Sequence, residues 1–246
     1  MRQLFPACDD HADIGAIYRP PSSERGLWRT NMVATVNGAV EFGGVSRPIS
    51  SSADRQVFRV IRTYADAVVI GRGNALAEGY AALPRPMAPE VAMGGRDTAP
   101  RLVVVARSLD GLAAAPLAAS TEQVIIATSR SKEEEAEALA RSFEVEPAFV
   151  FIGDEELEAR QLRAALDGLG LRNVVCEGGP TLLGILLANQ AIDEICLTVT
   201  PMVAPSHHGG PFGPGGNFGL FRLELASLLE EEGTLLYRYR LVADEH

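Results

Sequence analysis

The sequence predicts a layered α/β fold built on one mixed sheet, and three observations carry that expectation. Short apolar, β-branched runs alternate with segments of helical period from Trp28 to Thr200. Two longer alternating runs, 220–229 and 234–242, then read as an antiparallel pair that closes the sheet. The chain has 246 residues, 47% hydrophobic and 22% charged, so it is long and apolar enough to bury a core without a disulfide or metal staple.

Residues 1–26 carry Pro6, Pro20 and Pro21 with scattered acids and no period, which reads as an irregular N-terminal arm before a domain spanning 27–246. Residues 28–36 predict the first strand, and Asn37-Gly38 supplies a turn tolerant of positive φ. Ser51 with Asp54 three residues on marks a helix start, and Val57, Val60, Ile61 and Tyr64 follow at helical spacing. A short strand over 67–70 ends at Gly71, and a helical stretch runs on to Gly79. The Pro- and Gly-rich stretch 82–100 reads as a long excursion or lid.

Further strands are expected at 102–105, 124–127, 149–152, 173–176 and 195–200. Between them, Ser131 with Glu134 reads as a capping box opening a helix to Arg141, and a second helix falls near 155–166. Pro180 opens a third, striped by Leu182, Leu183, Leu186 and Leu187. Residues 209–219 form a glycine-rich loop, and Phe218, Leu220 and Phe221 read as core or interface positions.

Charge and composition exclude several classes. With 22 basic against 32 acidic residues, the net charge is −10, which disfavours nucleic acid as a partner. Only Lys132 among the basic residues is lysine, so recognition of small anions falls to arginine, whose planar fork suits phosphate. No apolar run approaches the roughly 18 residues of a membrane span, and the N-terminus lacks the pattern of a secretory signal. Cys8, Cys176 and Cys196 have no C-x-x-C spacing and read as reduced thiols, so the protein is expected to be cytoplasmic. Cys8, Asp9, Asp10, His11 and Asp13 read as a solvated terminus and His207-His208 as a mobile turn; no metal is expected.

Standard nucleotide fingerprints are missing. Gly71-Arg72-Gly73-Asn74-Ala75-Leu76 has Leu where G-x-G-x-x-G needs its third glycine, and no P-loop, nucleophile elbow or zinc-deaminase signature occurs. Two segments nonetheless suit an anionic cofactor. Gly178-Gly179-Pro180-Thr181 lets the backbone approach a ligand and then opens a helix whose free amides favour a diphosphate. Arg72 offers a second phosphate contact. By position alone, the same glycines also read as tight turns, and Arg62 as a surface ion-pair partner of Asp66.

Three segments carry a family resemblance from about Leu27 to the C-terminus. NMVATVNGAV at 31–40, RTYADAVVIGRGNALAEGY at 62–80 and VVCEGGPTLLGILLANQAIDEICLTVTPMV at 174–203 resemble the reductase domain of the bifunctional riboflavin-biosynthesis deaminase-reductase. The chain resembles a stand-alone pyrimidine reductase of that family. GRGN, EGGP and DEICLT are more distantly similar to dihydrofolate reductase. The resemblance implies a dihydrofolate-reductase-like three-layer α/β/α sandwich with a mixed, mostly parallel sheet and an antiparallel C-terminal hairpin.

The activity it implies is an NADPH-dependent oxidoreductase, transferring a hydride to the ribosyl C1′ of a 5-amino-6-(5-phosphoribosylamino)uracil-like pyrimidine, with a homodimer as the working unit. The alternatives are a dihydrofolate or pterin reductase and a non-catalytic NADPH-binding protein of the same fold. By matching position, Ala34, Asn74, Glu78, Gly178, Gly179, Pro180, Thr181, Leu182 and Leu183 would hold NADPH, with Arg72, Arg107 and Ser108 on its 2′-phosphate. Asn31, Ser46, Arg62, Arg85 and Glu177 would face the substrate, and Glu177 is the candidate catalytic residue, burial at a strand end raising its pKa so that it shares or donates a proton. The family pattern has lysine at Asn31, Thr at Asn74, Asp at Asn37 and often Trp at Pro48, four changes expected on the substrate side.

Overall fold

The computed structural model describes residues 1–81, 83–86, 95–205, 210–213 and 219–242. Its strands are β1 (Arg2–Phe5), β2 (Trp28–Thr35), β3 (Ala67–Gly71), β4 (Arg101–Val105), β5 (Ile125–Thr128), β6 (Ala148–Phe151), β7 (Val174–Cys176), β8 (Glu194–Thr200), β9 (Leu223–Glu231) and β10 (Thr234–Leu241). They form one sheet in the order β1-β9-β10-β8-β2-β7-β3-β4-β5-β6. From β8 to β6 the neighbours run parallel, whereas β10, β9 and β1 add antiparallel strands at one edge. The unbroken apolar runs of β3 to β5 are what strands covered on both faces require.

The helices are α1 (Ile14–Tyr18), α2 (Ser52–Thr63), α3 (Arg72–Ala77), α4 (Glu133–Ala140), α5 (Ala159–Gly168) and α6 (Pro180–Ala188). Alternation along the strands splits the core into layers. Val69, Val103 and Ile125 pack with Leu162 and Leu166 of α5 and with Leu183, Leu186 and Leu187 of α6. Their neighbours Val68, Val104 and Ile126 point the other way, onto Ala75 of α3 and Ala136 of α4. On that second face α1 and α2 bury Ile14, Tyr18, Val57, Val60 and Ile61 beside Val175 and Cys196. The mixed three-layer sandwich and the antiparallel hairpin are thus as expected.

Local signals held where side chains could act on their own backbone. Ser51 caps α2, its side chain accepting from the Asp54 amide, and Gly38, at φ +83°, completes the turn after β2 with its amide on the Thr35 carbonyl. Two expectations are corrected. Residues 1–26 are not irregular throughout: β1 pairs with β9, Arg2 Nε donating to Glu230 Oε2 at 2.6 Å, and Asp13 caps α1 through the Ala16 amide. The partner strand lies 228 residues away, so no local period announces it. The Ser131 capping box does not form, because a 3-10 turn over Arg130–Lys132 precedes α4 and the Ser131 hydroxyl lies 2.9 Å from that of Ser129.

Candidate active site

The site is assembled where the parallel strands deliver their C-terminal ends. β7 ends at Cys176, and Glu177, Gly178 and Gly179 lead directly into α6. Beside it β3 ends at Gly71 and runs into α3. The Gly71 amide donates to the Gly178 carbonyl at 2.8 Å, and Asn74 Nδ2 donates to the Glu177 carbonyl at 3.3 Å, so the two turns are stitched together. Gly178 sits at φ +105°, which favours glycine, and a Cβ on Gly179 would lie 2.8 Å from Asn74 Oδ1 and displace that side chain. The Gly178–Gly179 peptide is cis.

A cleft of about 1030 Å³ opens in front of this corner. It brings together most of the residues expected from the sequence: Asn31, Ser46, Arg62, Arg72, Asn74, Glu78, Arg107, Ser108, Glu177, Gly179, Pro180, Thr181 and Leu182. It does not bring in Ala34, Gly178, Leu183 or Arg85. Ala34 is buried within β2, and Leu183 is wholly buried on the sheet-facing side of α6. Gly178 turns its carbonyl to Gly71, and Arg85 is exposed and not among the lining residues, although the adjacent Leu83 and Pro84 are. Asn37 and Pro48 also lie off the cleft lining, and Asn37 instead braces the turn, accepting from the Thr35 hydroxyl at 2.7 Å and donating to the Ala204 carbonyl at 2.8 Å.

Glu177 is the centre of a buried network. Arg62 Nε and Nη2 donate to its two carboxylate oxygens, both at 2.6 Å, and the Tyr80 hydroxyl donates at 2.9 Å. The Glu177 side chain is 3% exposed, and the Arg62 guanidinium lies 4.0 Å from the centroid of the Phe58 ring. Phe58 and Arg62 are four residues apart on α2 and therefore share a face. Burial opposes the charge on Arg62, but the Glu177 carboxylate more than offsets it and raises the Arg62 pKa. Tyr80 is pushed well up, by burial first and by the Glu177 charge second, so its phenol stays protonated and donates. The position-only reading of Arg62 as a partner of Asp66 is corrected: Asp66 is held by Arg96 and by the amides of Arg172 and Asn173.

A second carboxyl that sequence reasoning missed, Asp54, lines the cleft at the start of α2. The Ser50 hydroxyl donates to Asp54 Oδ2 at 2.6 Å. Burial raises the Asp54 pKa, while the hydroxyls of Ser50 and Thr198 and the charge of Arg55 pull it back. Arg47 and Arg55, both exposed, stand at the mouth on the same side. Phe58 had a legible signal in its spacing from Arg62; Tyr80, in the turn after α3, had none. Glu78 fixes the neighbouring loop, its Oε1 accepting from the Ser46 amide at 2.8 Å.

The other end of the cleft fits a phosphate-rich cofactor. Gly179, the N-cap of α6, has no side chain to cap the helix, so the first turn, whose Thr181 and Leu182 line the cleft, starts without a side-chain cap. Arg72, Arg107 and Ser108 line the rim at the ends of β3 and β4, with Arg72 Nε donating to the Asp110 carbonyl at 2.7 Å and the Ser108 hydroxyl to Asp110 Oδ2 at 2.6 Å. Cationic side chains and an uncapped helix start in one groove are a donor set for a dinucleotide. The 82–100 lid expectation lies partly outside the described residues, at 82 and 87–94, and His207-His208, Phe218 and most of the 209–219 loop lie outside them as well.

The chain matches the RibD C-terminal domain over residues 29–233. A 2,5-diamino-6-ribosylamino-4(3H)-pyrimidinone 5′-phosphate reductase of Methanothermobacter thermautotrophicus is 26% identical over 178 residues, covering 70% of this chain and 76% of the relative. A solved pyrimidine reductase-like protein from Corynebacterium diphtheriae has a TM-score of 0.76 at 21% identity, over 89% of this chain and 93% of that one. RibD of Acinetobacter baumannii gives 0.70 at 17% identity, over 90% of this chain and 59% of the longer protein. These two structures share the fold, and the domain match takes in most of the sequence. The chain is therefore a member of the RibD C-terminal domain family.

Proposed function

We propose that this chain is a riboflavin-pathway pyrimidine reductase, transferring a hydride from NADPH to the ribosyl C1′ of a 5-amino-6-(5-phosphoribosylamino)uracil-like substrate. The observation that carries the reading is a single cleft that joins an uncapped helix start and cationic rim to a buried Glu177, Arg62 and Tyr80 network. The family membership and the name of the Methanothermobacter relative support the same substrate class.

In this reading the α6 amides take the cofactor diphosphate, and Arg72, Arg107 and Ser108 take its 2′-phosphate. NADPH supplies the hydride; the protein binds, orients and excludes water. The Glu177 carboxylate, with donors on both oxygens, is a fixed acceptor that orients the substrate and compensates positive charge near the reacting carbon. Arg62 and Tyr80 are positioning residues that hold it. Arg47 and Arg55 at the mouth replace Arg85 as the partners for the substrate phosphate, beside Ser46 and Asn31. A homodimer remains the proposed working unit. Val36, Met202 and Val203 expose apolar surface where the Val36 amide bonds the Met202 carbonyl.

The test is NADPH oxidation followed by absorbance of the reduced nicotinamide with the pyrimidine substrate. Turnover is expected in the wild type, with a loss of about tenfold or more in Glu177→Gln. NADPH binding without oxidation by any pyrimidine or pterin would establish a binding protein instead. Oxidation with dihydrofolate alone would establish the pterin reading.

A further inference from the structure

A second cavity, of about 610 Å³, opens at the start of β2 and β8, toward the opposite end of these strands from the cleft, and none of its lining residues lines the cleft. Its wall is the face of the sheet edge where Arg29 stands opposite Glu194, Glu194 opposite Arg240, and Arg238 opposite Ser227. Directly opposed residues, and those two apart along a strand, share a face, so all five belong to one surface. A register shift between Arg238 and Tyr239 bends β9 at Ala226, which also lines the cavity.

The charges on this wall do not balance. Arg29 and Arg238, with side chains 4% and 13% exposed, share one carboxylate: Glu194 lies 3.2 Å from Arg29 Nη2 and 3.7 Å from Arg238 Nη1. The neighbouring Asp193 is already held by Arg25, Arg163 and the Trp28 amide. Arg240 is exposed at the opening, opposite the exposed Glu224 of β9, and makes no ion pair among the described residues, so three arginines on this face meet two carboxylates. One nitrogen of each buried arginine is satisfied by a carbonyl, Tyr18 for Arg29 and Ile17 for Arg238. Among the described residues, Arg238 Nε and the Ser227 hydroxyl are buried with no hydrogen-bond partner, and Arg29 Nη2 has the ion pair to Glu194 but no hydrogen bond.

A buried guanidinium without its own counter-charge is costly, and so is a buried hydroxyl without an acceptor. The shortfall is one of negative charge and acceptor oxygens together, in a chain whose net charge is −10. A phosphate monoester brings close to two negative charges and three acceptor oxygens, whereas a carboxylate brings one charge and two oxygens. The volume exceeds that of a phosphate and lies within the small-molecule range, and Ile17, Pro21, Leu27 and Leu241 supply apolar flanks for an attached body.

We propose that this cavity binds a phosphorylated small molecule, its phosphate pairing with Arg238 and Arg240 and accepting the Ser227 hydroxyl. The site stands apart from the reductase cleft and does not depend on the reading of that cleft.

The test is a titration of the isotope-labelled chain with inorganic phosphate, followed by the backbone amide signals of Ala226, Ser227 and Arg238. Saturable shifts are expected there, with acetate binding more weakly. Arg240→Ala, at an exposed position, and Ser227→Ala, a small change, are each expected to weaken the response about tenfold or more while leaving shifts at Arg72 and Thr181 as in the wild type. Absence of a saturable response at Ala226, Ser227 and Arg238, an unchanged affinity in both variants, or acetate binding as tightly as phosphate would each overturn the proposal.

Discussion

Asp54 and Cys176 show how the same burial produces measurable but different behaviour. The folded Asp54 carboxyl holds its proton more tightly than an exposed one, chiefly because burial penalises the charged form. A carboxyl raised in this way favours the fold in acid and withdraws stability as pH rises from its unfolded to its folded value. Asp54→Asn is therefore expected to raise Tm near neutral pH, with the advantage over wild type shrinking as pH falls toward about 4 and gone below it. Equal Tm values at neutral pH would contradict the burial argument. Cys176 is pushed up to about 12, first by burial, and Cys196 is raised as well, while Cys8 is exposed. Alkylation of the native protein by iodoacetamide near neutral pH is expected to mark Cys8 alone, as read by peptide mass.

At the scale of elements, α6 matters most, because it both seals the core and presents the cleft's amides. Leu183 is wholly buried against β3, β4 and β7, so Leu183→Ala is expected to cost about 2–5 kcal/mol in denaturant unfolding. A smaller cost would show that the helix can settle into the vacated space. Most elements could be read from sequence because their signals are local: the Ser51 cap, the leucine stripe of α6, and the apolar runs of β3 to β5. What sequence could not show was long-range. The pairing of β1 with β9 has no period of its own, and the Ser131 box lost to a competing 3-10 turn. In the site, glycines and charges were legible by motif, whereas the Arg62 to Glu177 ion pair and Tyr80 depend on elements meeting in space.

For the whole molecule, a strongly acidic chain concentrates arginine where anions are expected to bind. Arg72 and Arg107 sit at the cofactor rim, and Arg47 and Arg55 at the opposite mouth. Among the described residues, no helix is long and apolar enough to cross a membrane. If the rim reads the 2′-phosphate, Arg72→Ala is expected to weaken NADPH by about 1.5–3 kcal/mol, tenfold or more, and NADH far less, in a fluorescence titration. Equal losses for the two cofactors would remove Arg72 from that role.

The proposed reductase function requires the corner between β7 and α6 to seat a diphosphate. A crystal structure of the chain with NADPH tests it most directly. Diphosphate density against the amides of Gly179, Thr181 and Leu182, with the nicotinamide running toward Glu177, is the predicted result; a dinucleotide bound elsewhere, or that corner filled by side chains, would contradict it.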